Sequence, residues 1–217
     1  MKKSVLTILL SLCSTFATAQ TITFDNLPNT SVLDGSLVAN GYEGFNWNNF
    51  YYLTTSTYTY NPSGYQNGTV SGTNVVANGG GYIATMSSQG GTFSFNSAYF
   101  TGAWENGLNI QVSAYLAGAL VDTAEFIVDT TGPVLQTFNW SNIDTLTFNS
   151  IAGTSAGYMC SDVSLCNHFA MDNMVVNEVI PAVPEPSTYA MLLAGLGLLS
   201  FYGKRRKGDG SQGPSLA

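Results

Sequence analysis

Gly153-Thr154-Ser155-Ala156-Gly157 has the spacing of a Gly-x-Ser-x-Gly nucleophile turn, and Asp162 and His168 follow in the order serine, acid, histidine. That chemistry needs the serine on a strained strand-to-helix turn, with backbone donors forming an oxyanion hole. No helical pattern follows Ser155, and small residues are what an ordinary loop would use, so the expectation is no catalysis here. Glycoside hydrolysis would need two carboxylates about 5 to 9.5 Å apart. Glu43, Glu105 and Glu125 are available, but nothing in the sequence pairs them. The chain is read as a non-enzyme.

The charge balance excludes more than it suggests. All six Lys and Arg are Lys2, Lys3, Lys204, Arg205, Arg206 and Lys207, so the span from Gln20 to Gly203 has no cationic side chain. Of thirteen Asp and Glu only Asp209 lies outside that span, which leaves twelve carboxylates in it. Nucleic-acid binding rests on Lys and Arg displacing counterions from phosphate, so nucleic acid is excluded as a partner. Anionic lipid surfaces are disfavoured for the same reason. Neutral ligands, cations, and polymers reached by hydrogen bonds and stacking remain.

Two ligand readings follow. Asp25 lies just past the first expected strand residues and Asp172-Asn173 in the last strand, and first and last strands of a jelly roll commonly lie close together. Calcium takes six to eight oxygens, so one reading is a structural Ca²⁺ held by Asp25 and Asp172 with carbonyl help. The other is that both carboxylates accept backbone hydrogen bonds in strand-end turns. The aromatics give a second candidate. Trp47, Tyr58, Tyr60 and Trp104 offer flat rings that can stack on the apolar faces of sugars, beside hydroxyl and amide side chains that can read their hydroxyls. Against this stands the usual fate of rings in β sandwiches, which is to fill the core or pair across strands.

The elements that must position these groups are strands. Between Gln20 and Ala182 short alternating runs recur, separated by turn signals such as Asn61-Pro62-Ser63-Gly64, Asn78-Gly79-Gly80-Gly81 and Thr131-Gly132-Pro133. In Asn109 to Leu116, Ile110, Val112, Ala114 and Leu116 fall on one face, and Gln111, Ser113 and Tyr115 on the other. A period of two marks half-buried antiparallel strands. A continuous strand is expected from Tyr51 to Tyr60, with Tyr58 and Tyr60 on one face. No window of ten or more residues has a helical period with caps. The fold class is all-β, an antiparallel sandwich or jelly roll. Cys160 and Cys166 are the pair remaining in an exported body, and their spacing reads as a disulfide closing a short loop. A zinc site is a poorer match, because His168 is the only histidine.

Both ends read as targeting. Lys2-Lys3, an apolar run from Val5 to Leu12, and Ala17-Thr18-Ala19 make a secretory signal peptide for signal peptidase over residues 1–19, with the mature chain beginning at Gln20. At the other end, Val183-Pro184-Glu185-Pro186 leads into an apolar span from Ser187 to Gly203, which stops against Lys204, Arg205, Arg206 and Lys207. The span reaches only the low end of the roughly 17 to 25 residues that cross a bilayer, and the adjacent cations favour the cytoplasmic side.

These three parts in order resemble the PEP-CTERM sorting signal, over roughly residues 183–207. The resemblance implies an exosortase as partner, a transmembrane precursor in the inner membrane of an exopolysaccharide-producing Gram-negative bacterium, and delivery to the cell surface or extracellular matrix. Residues 208–217 form a tail beyond the usual end of such signals. The body, residues 20–182, resembles the all-β ectodomains that precede this signal. Its features are Phe24-Asp25, the Tyr42 to Trp47 segment, and His168 to Asn173. The functional expectation is a surface or matrix protein with a carbohydrate-binding ectodomain that meets exopolysaccharide. The alternative is a structural or adhesive surface protein without a defined glycan.

Overall fold

The computed structural model describes residues 19–151, 153–160 and 165–178, together with 191, 193, 194 and 196. The signal peptide, the sorting motif Val183 to Pro186 and the basic stop Lys204 to Lys207 lie outside the described residues. The chain divides into two compact units, Met1–Val179 and Ile180–Ala217. In the second, Met191, Leu193, Ala194 and Leu196 are helical with exposed side chains. Among the described residues no helix is long and apolar enough to cross a membrane.

The first unit is a sandwich of two antiparallel sheets. One contains β1 (Gln20–Ile22), β2 (Ser36–Leu37), β4 (Phe50–Thr54), β5 (Asn74–Asn78), β7 (Phe93–Gly102), β11 (Val134–Ile143) and β14 (Phe169–Val176). Their order is β11-β7-β14-β5-β4-β2, and β1 pairs with the second half of β14 beyond the end of β5. First and last strands therefore lie side by side. The facing sheet runs β10 (Ala119–Val128), β9 (Leu108–Leu116), β12 (Thr145–Ile151), β6 (Ala84–Ser88) and β3 (Phe45–Asn48). A small ribbon pairs β8 (Glu105–Asn106) with β13 (Thr154–Ser155).

Alternation sends one face of each strand into a common core. Phe50, Val76, Phe95, Phe100, Phe169 and Met171 come from the larger sheet; Met86, Leu108, Ile110, Val112, Leu146 and Phe148 come from the smaller, and all are fully buried. Phe148 joins the layers, with ring centroids 5.4 Å from Phe50 and 6.2 Å from Phe95. Edge-to-face contacts of this kind add to the area that each ring removes from water.

The expected strand from Tyr51 to Tyr60 ends at Thr54. From there the polar side chains turn the backbone: Thr57 donates its amide to the Thr54 carbonyl, and the Asn61 side-chain amide donates to the carbonyls of Thr55 and Tyr58. Asn is suited to such local turn bonds, which compete with the ladder. A four-residue helix, Gly64–Asn67, follows and packs Tyr65 inward. Gly64 is required there, since a Cβ would lie 1.7 Å from the Gly102 carbonyl oxygen.

Candidate binding cleft

The outer face of the larger sheet carries a second, smaller layer. β4 and β5 alternate, so Phe50, Tyr52 and Val76 enter the main core while Leu53, Val75 and Ala77 face the other way. Against those three the chain lays Tyr65, Ala103, Trp104, Cys166 and Ala170. The structure joins Cys160 to Cys166 in a disulfide with Cα atoms 6.0 Å apart, and both cysteines belong to this layer. The layer stops short of the sheet edge, and the uncovered part is an open cleft of about 590 Å³. That volume falls in the range of small-ligand sites.

Tyrosines dominate its walls. Tyr51 projects from β4, Tyr58 and Tyr65 come from the turn and short helix after it, and Tyr82 stands beyond the glycine loop that follows β5. Tyr58 packs edge-on against Tyr65 at 5.6 Å, and Tyr65 against Trp104 at 5.3 Å. Tyr82 is 66% exposed, so its face is free for a ligand. Asn49 supports this wall from behind: its side-chain amide donates to the carbonyls of Gly79, Tyr82 and Ile83 at 3.0 to 3.3 Å. Gly79 must lack a side chain, because a Cβ would fall 2.5 Å from the Tyr51 ring. Leu33 and Asp34, in the loop before β2, also line the cleft.

His168 lies at the inner end. Its Nδ1 meets the Tyr65 hydroxyl, while Nε2 is buried with no hydrogen-bond partner among the described residues. Burial pushes the imidazole down to about 4, weakly opposed by the Leu165 carbonyl, so His168 is neutral near pH 7. Burial also raises Tyr65 well above the ordinary phenol value and Tyr58 to about 12, with Tyr60 and Asp34 adding to the latter. Tyr58 and Tyr65 are thus neutral hydroxyls, suited to donating and accepting hydrogen bonds.

Several expected site residues sit elsewhere. Trp47 is 5% exposed and packs edge-on against Phe24 and Phe50; Trp104 is 6% exposed beneath Tyr65. Neither offers a stacking face: alternation along β3 turns Trp47 inward, and Trp104, in the bend between β7 and β8, is covered by Tyr65. Tyr60 is 37% exposed and touches Tyr58 at 5.6 Å. Of the four aromatics singled out in the sequence, Tyr58 alone lines the cleft. Tyr82, Asp34 and Asn49 carry no signal of their own in the sequence, beyond the Asn78 to Gly81 turn before Tyr82.

Asp25 and Asp172 do come together, around the loop between the short helix and β5. Asp172 Oδ2 accepts from the amides of Val70 and Ser71 at 2.7 and 3.0 Å, and Asp25 Oδ1 from those of Thr73 and Asn74 at 2.8 and 3.1 Å. The Ser71 hydroxyl lies 3.0 Å from Asp25 Oδ2 and 2.7 Å from Asn173 Oδ1. Asp172 Oδ1 accepts from the Asn173 amide at 2.7 Å, so amide protons take both oxygens of Asp172 and one of Asp25, whose other oxygen accepts from the Ser71 hydroxyl. Among the described residues no group of three or more His, Cys, Asp or Glu is placed to hold a metal ion.

The nucleophile motif is also dispersed. Ser155 Oγ accepts from the Gly157 amide in the β8–β13 ribbon, no hydrogen bond joins it to His168, and Asp162 lies outside the described residues. Glu105 and Glu125 bind the Gly153 amide and the Gln111 side chain, and Glu43 takes Gln20 and Asn26.

Comparison with known proteins finds no match among curated sequences. Solved structures with a similar chain path include the K2 cleaved adhesin domain of Lys-gingipain, with TM-score 0.43 and 11% identity over 74% of this chain and 98% of that one. A DUF4465 family protein from Bacteroides ovatus gives 0.40 and 10%, over 73% and 88%. CBM51 from Clostridium perfringens GH95, solved with methyl-galactose, gives 0.35 and 12%, over 72% and 99%. By sequence, the match is at the C-terminal end: residues 182–207 carry the PEP-CTERM protein-sorting motif, behind an all-β body.

Proposed function

We propose that this is an exported surface or matrix protein whose ectodomain binds a glycan through the tyrosine-walled cleft. Signal peptidase releases the chain after Ala19. Residues 187–203 hold the precursor in the inner membrane, with Lys204 to Lys207 on the cytoplasmic side. An exosortase acts at Val183 to Pro186, and the body passes to the cell surface or the extracellular polysaccharide layer. There it meets exopolysaccharide.

The observation that carries the binding part is the cleft itself. It has the volume of a ligand site, exposed tyrosine faces at Tyr51 and Tyr82, and walls fixed by glycine and asparagine contacts rather than by a mobile side chain. Tyrosine supplies large, rigid contact area with a polar tip at low entropic cost. Sugar rings have apolar faces for the rings and hydroxyls for the amides. The test is binding of the exported protein to exopolysaccharide of the producing cell and to a broad glycan panel, with calcium and with chelator. Saturable binding to one sugar class supports the proposal. No binding by the folded protein in either condition refutes it. Pro184→Ala with Pro186→Ala separately tests sorting: unchanged cleavage and surface delivery would remove the exosortase from the account.

A second reading, a structural or adhesive surface protein, is favoured by a different feature. β10 and β11 are long edge strands with no strand paired to their outer edges among the described residues, and Leu120, Val121, Ile127, Val134 and Leu135 are exposed along them. Such edges are templates for strand pairing. Sedimentation distinguishes the readings, since self-association without glycan binding would favour the second.

A further inference from the structure

Resting on the glycan reading of the cleft, we propose that its ligand is an amine-bearing, cationic sugar unit, a hexosamine with a free ammonium group. Two features of the cleft carry this. The first is the density of ring faces: Tyr51, Tyr58 and Tyr82 all line one opening. A cation over a tyrosine face is attracted by the negative charge on the π cloud, and clusters of such rings are how proteins hold ammonium groups.

The second is Asp34. Most other carboxylates among the described residues are already used. Asp25, Asp172, Glu105 and Asp144 accept backbone amides, and Glu43 and Glu125 accept side-chain amides. Asp34 lines the cleft beside Tyr58 and makes no hydrogen bond among the described residues. No Lys or Arg between Gln20 and Gly203 can neutralise it. An unused anion at the mouth of a tyrosine-walled cleft is complementary to a cation. A neutral sugar leaves it idle, and an anionic sugar meets it with repulsion. An ammonium on a sugar satisfies every part at once: the ring stacks on tyrosine, the hydroxyls meet the phenol groups and the Asn49 side-chain oxygen, and the charge meets Asp34 and the π faces.

The test is calorimetric titration of the full exported protein with three oligosaccharides of equal length: glucosamine oligomers with free amines, the same oligomers N-acetylated, and neutral cello-oligomers. The expected result is binding of the amine form about fivefold or more tighter than the others, a preference that shrinks with added salt. Asp34→Asn, an exposed change, is expected to erase that preference, and Tyr82→Ala to weaken all binding. Equal affinity for the acetylated or neutral oligomers, unchanged by Asp34→Asn but lost in Tyr82→Ala, overturns the amine while leaving the glycan cleft standing. Binding that ignores Tyr82→Ala, or none to any of the three by folded protein, overturns both.

Discussion

Asp172→Asn and His168→Gln are expected to tilt the pH dependence of stability in opposite directions, because the native pair nearly cancels. His168 is held down from 6.5 to about 4 by burial. Between those values the unfolded chain binds a proton that the folded chain refuses. Stability from this group is therefore complete above pH 6.5 and is lost as pH falls towards 4. At roughly 1.4 kcal/mol per unit, the whole effect is about 3 kcal/mol. Asp172 is raised from 3.8 to about 6, chiefly by burial, against the pull of the Ser71, Val70 and Asn173 amides and with a push from Asp25. Here the folded chain keeps a proton that the unfolded one has released. That stability is complete below pH 3.8 and disappears as pH rises through 6, about 3 kcal/mol in the opposite sense.

The windows overlap almost fully, so the native Tm is expected to stay flat between about pH 4 and 6. Asn at 172 can still accept from Val70 and Ser71 but cannot titrate, which uncovers His168: acidification from pH 6 to 4 brings out about 2 kcal/mol of its effect and should lower Tm by about 4 to 8 °C. Gln at 168 removes the imidazole and should give the reverse slope, with Tm rising on acidification. The assay is thermal unfolding by circular dichroism of the exported protein at constant ionic strength. Identical slopes in wild type and both variants would refute the reasoning, because neither group would then differ between folded and unfolded states.

Four further perturbations follow from the same structure. Gly72 has φ +49°, and a Cβ there would lie 2.1 Å from the Asp25 carboxyl group, so Gly72→Ala should cost about 3 kcal/mol. Gly118 has φ +79° with nothing within 4 Å of a Cβ, so Gly118→Ala should cost only about 1 kcal/mol, and denaturant melts of the two separate clash from strain. Cys160→Ser with Cys166→Ser opens a short loop and should cost about 2 kcal/mol, read as a lowered denaturant midpoint that reductant no longer shifts. Calcium and chelator should give equal Tm, since hydrogen-bond donors already occupy both oxygens of Asp25 and of Asp172; a calcium-dependent rise would instead mean that an ion displaces those donors.

Much of the sheet structure was legible because alternation and turn residues act locally. The run from Phe169 to Val176 is a strand with those bounds, and Asn109 to Leu116 differs from its strand by one residue. Tyr51 to Tyr60 misled for a physical reason: Thr and Tyr favour strands, but the Asn61 side chain competes for the carbonyls of Thr55 and Tyr58. Counting aromatics could not separate core from surface, yet Phe45 and Trp47 are two apart and share the buried face, a signal that alternation does hold. Asp34, Tyr51 and Tyr82 meet only because β4 and β5 pair in one register and the glycine loop folds Tyr82 back beside them. Such convergence across the chain has no local signature.

The most direct check of the cleft as the ligand site is calorimetric titration of the exported protein with its best glycan, beside a Tyr51→Ala plus Tyr82→Ala variant. Both rings are partly solvent-exposed, so the variant should keep its fold and near-native Tm. The predicted result is saturable binding in the wild type that falls by about two orders of magnitude in the variant, as expected when two stacking rings are lost. Unchanged affinity in a folded variant would contradict the assignment and move the binding surface off the outer face of β4 and β5.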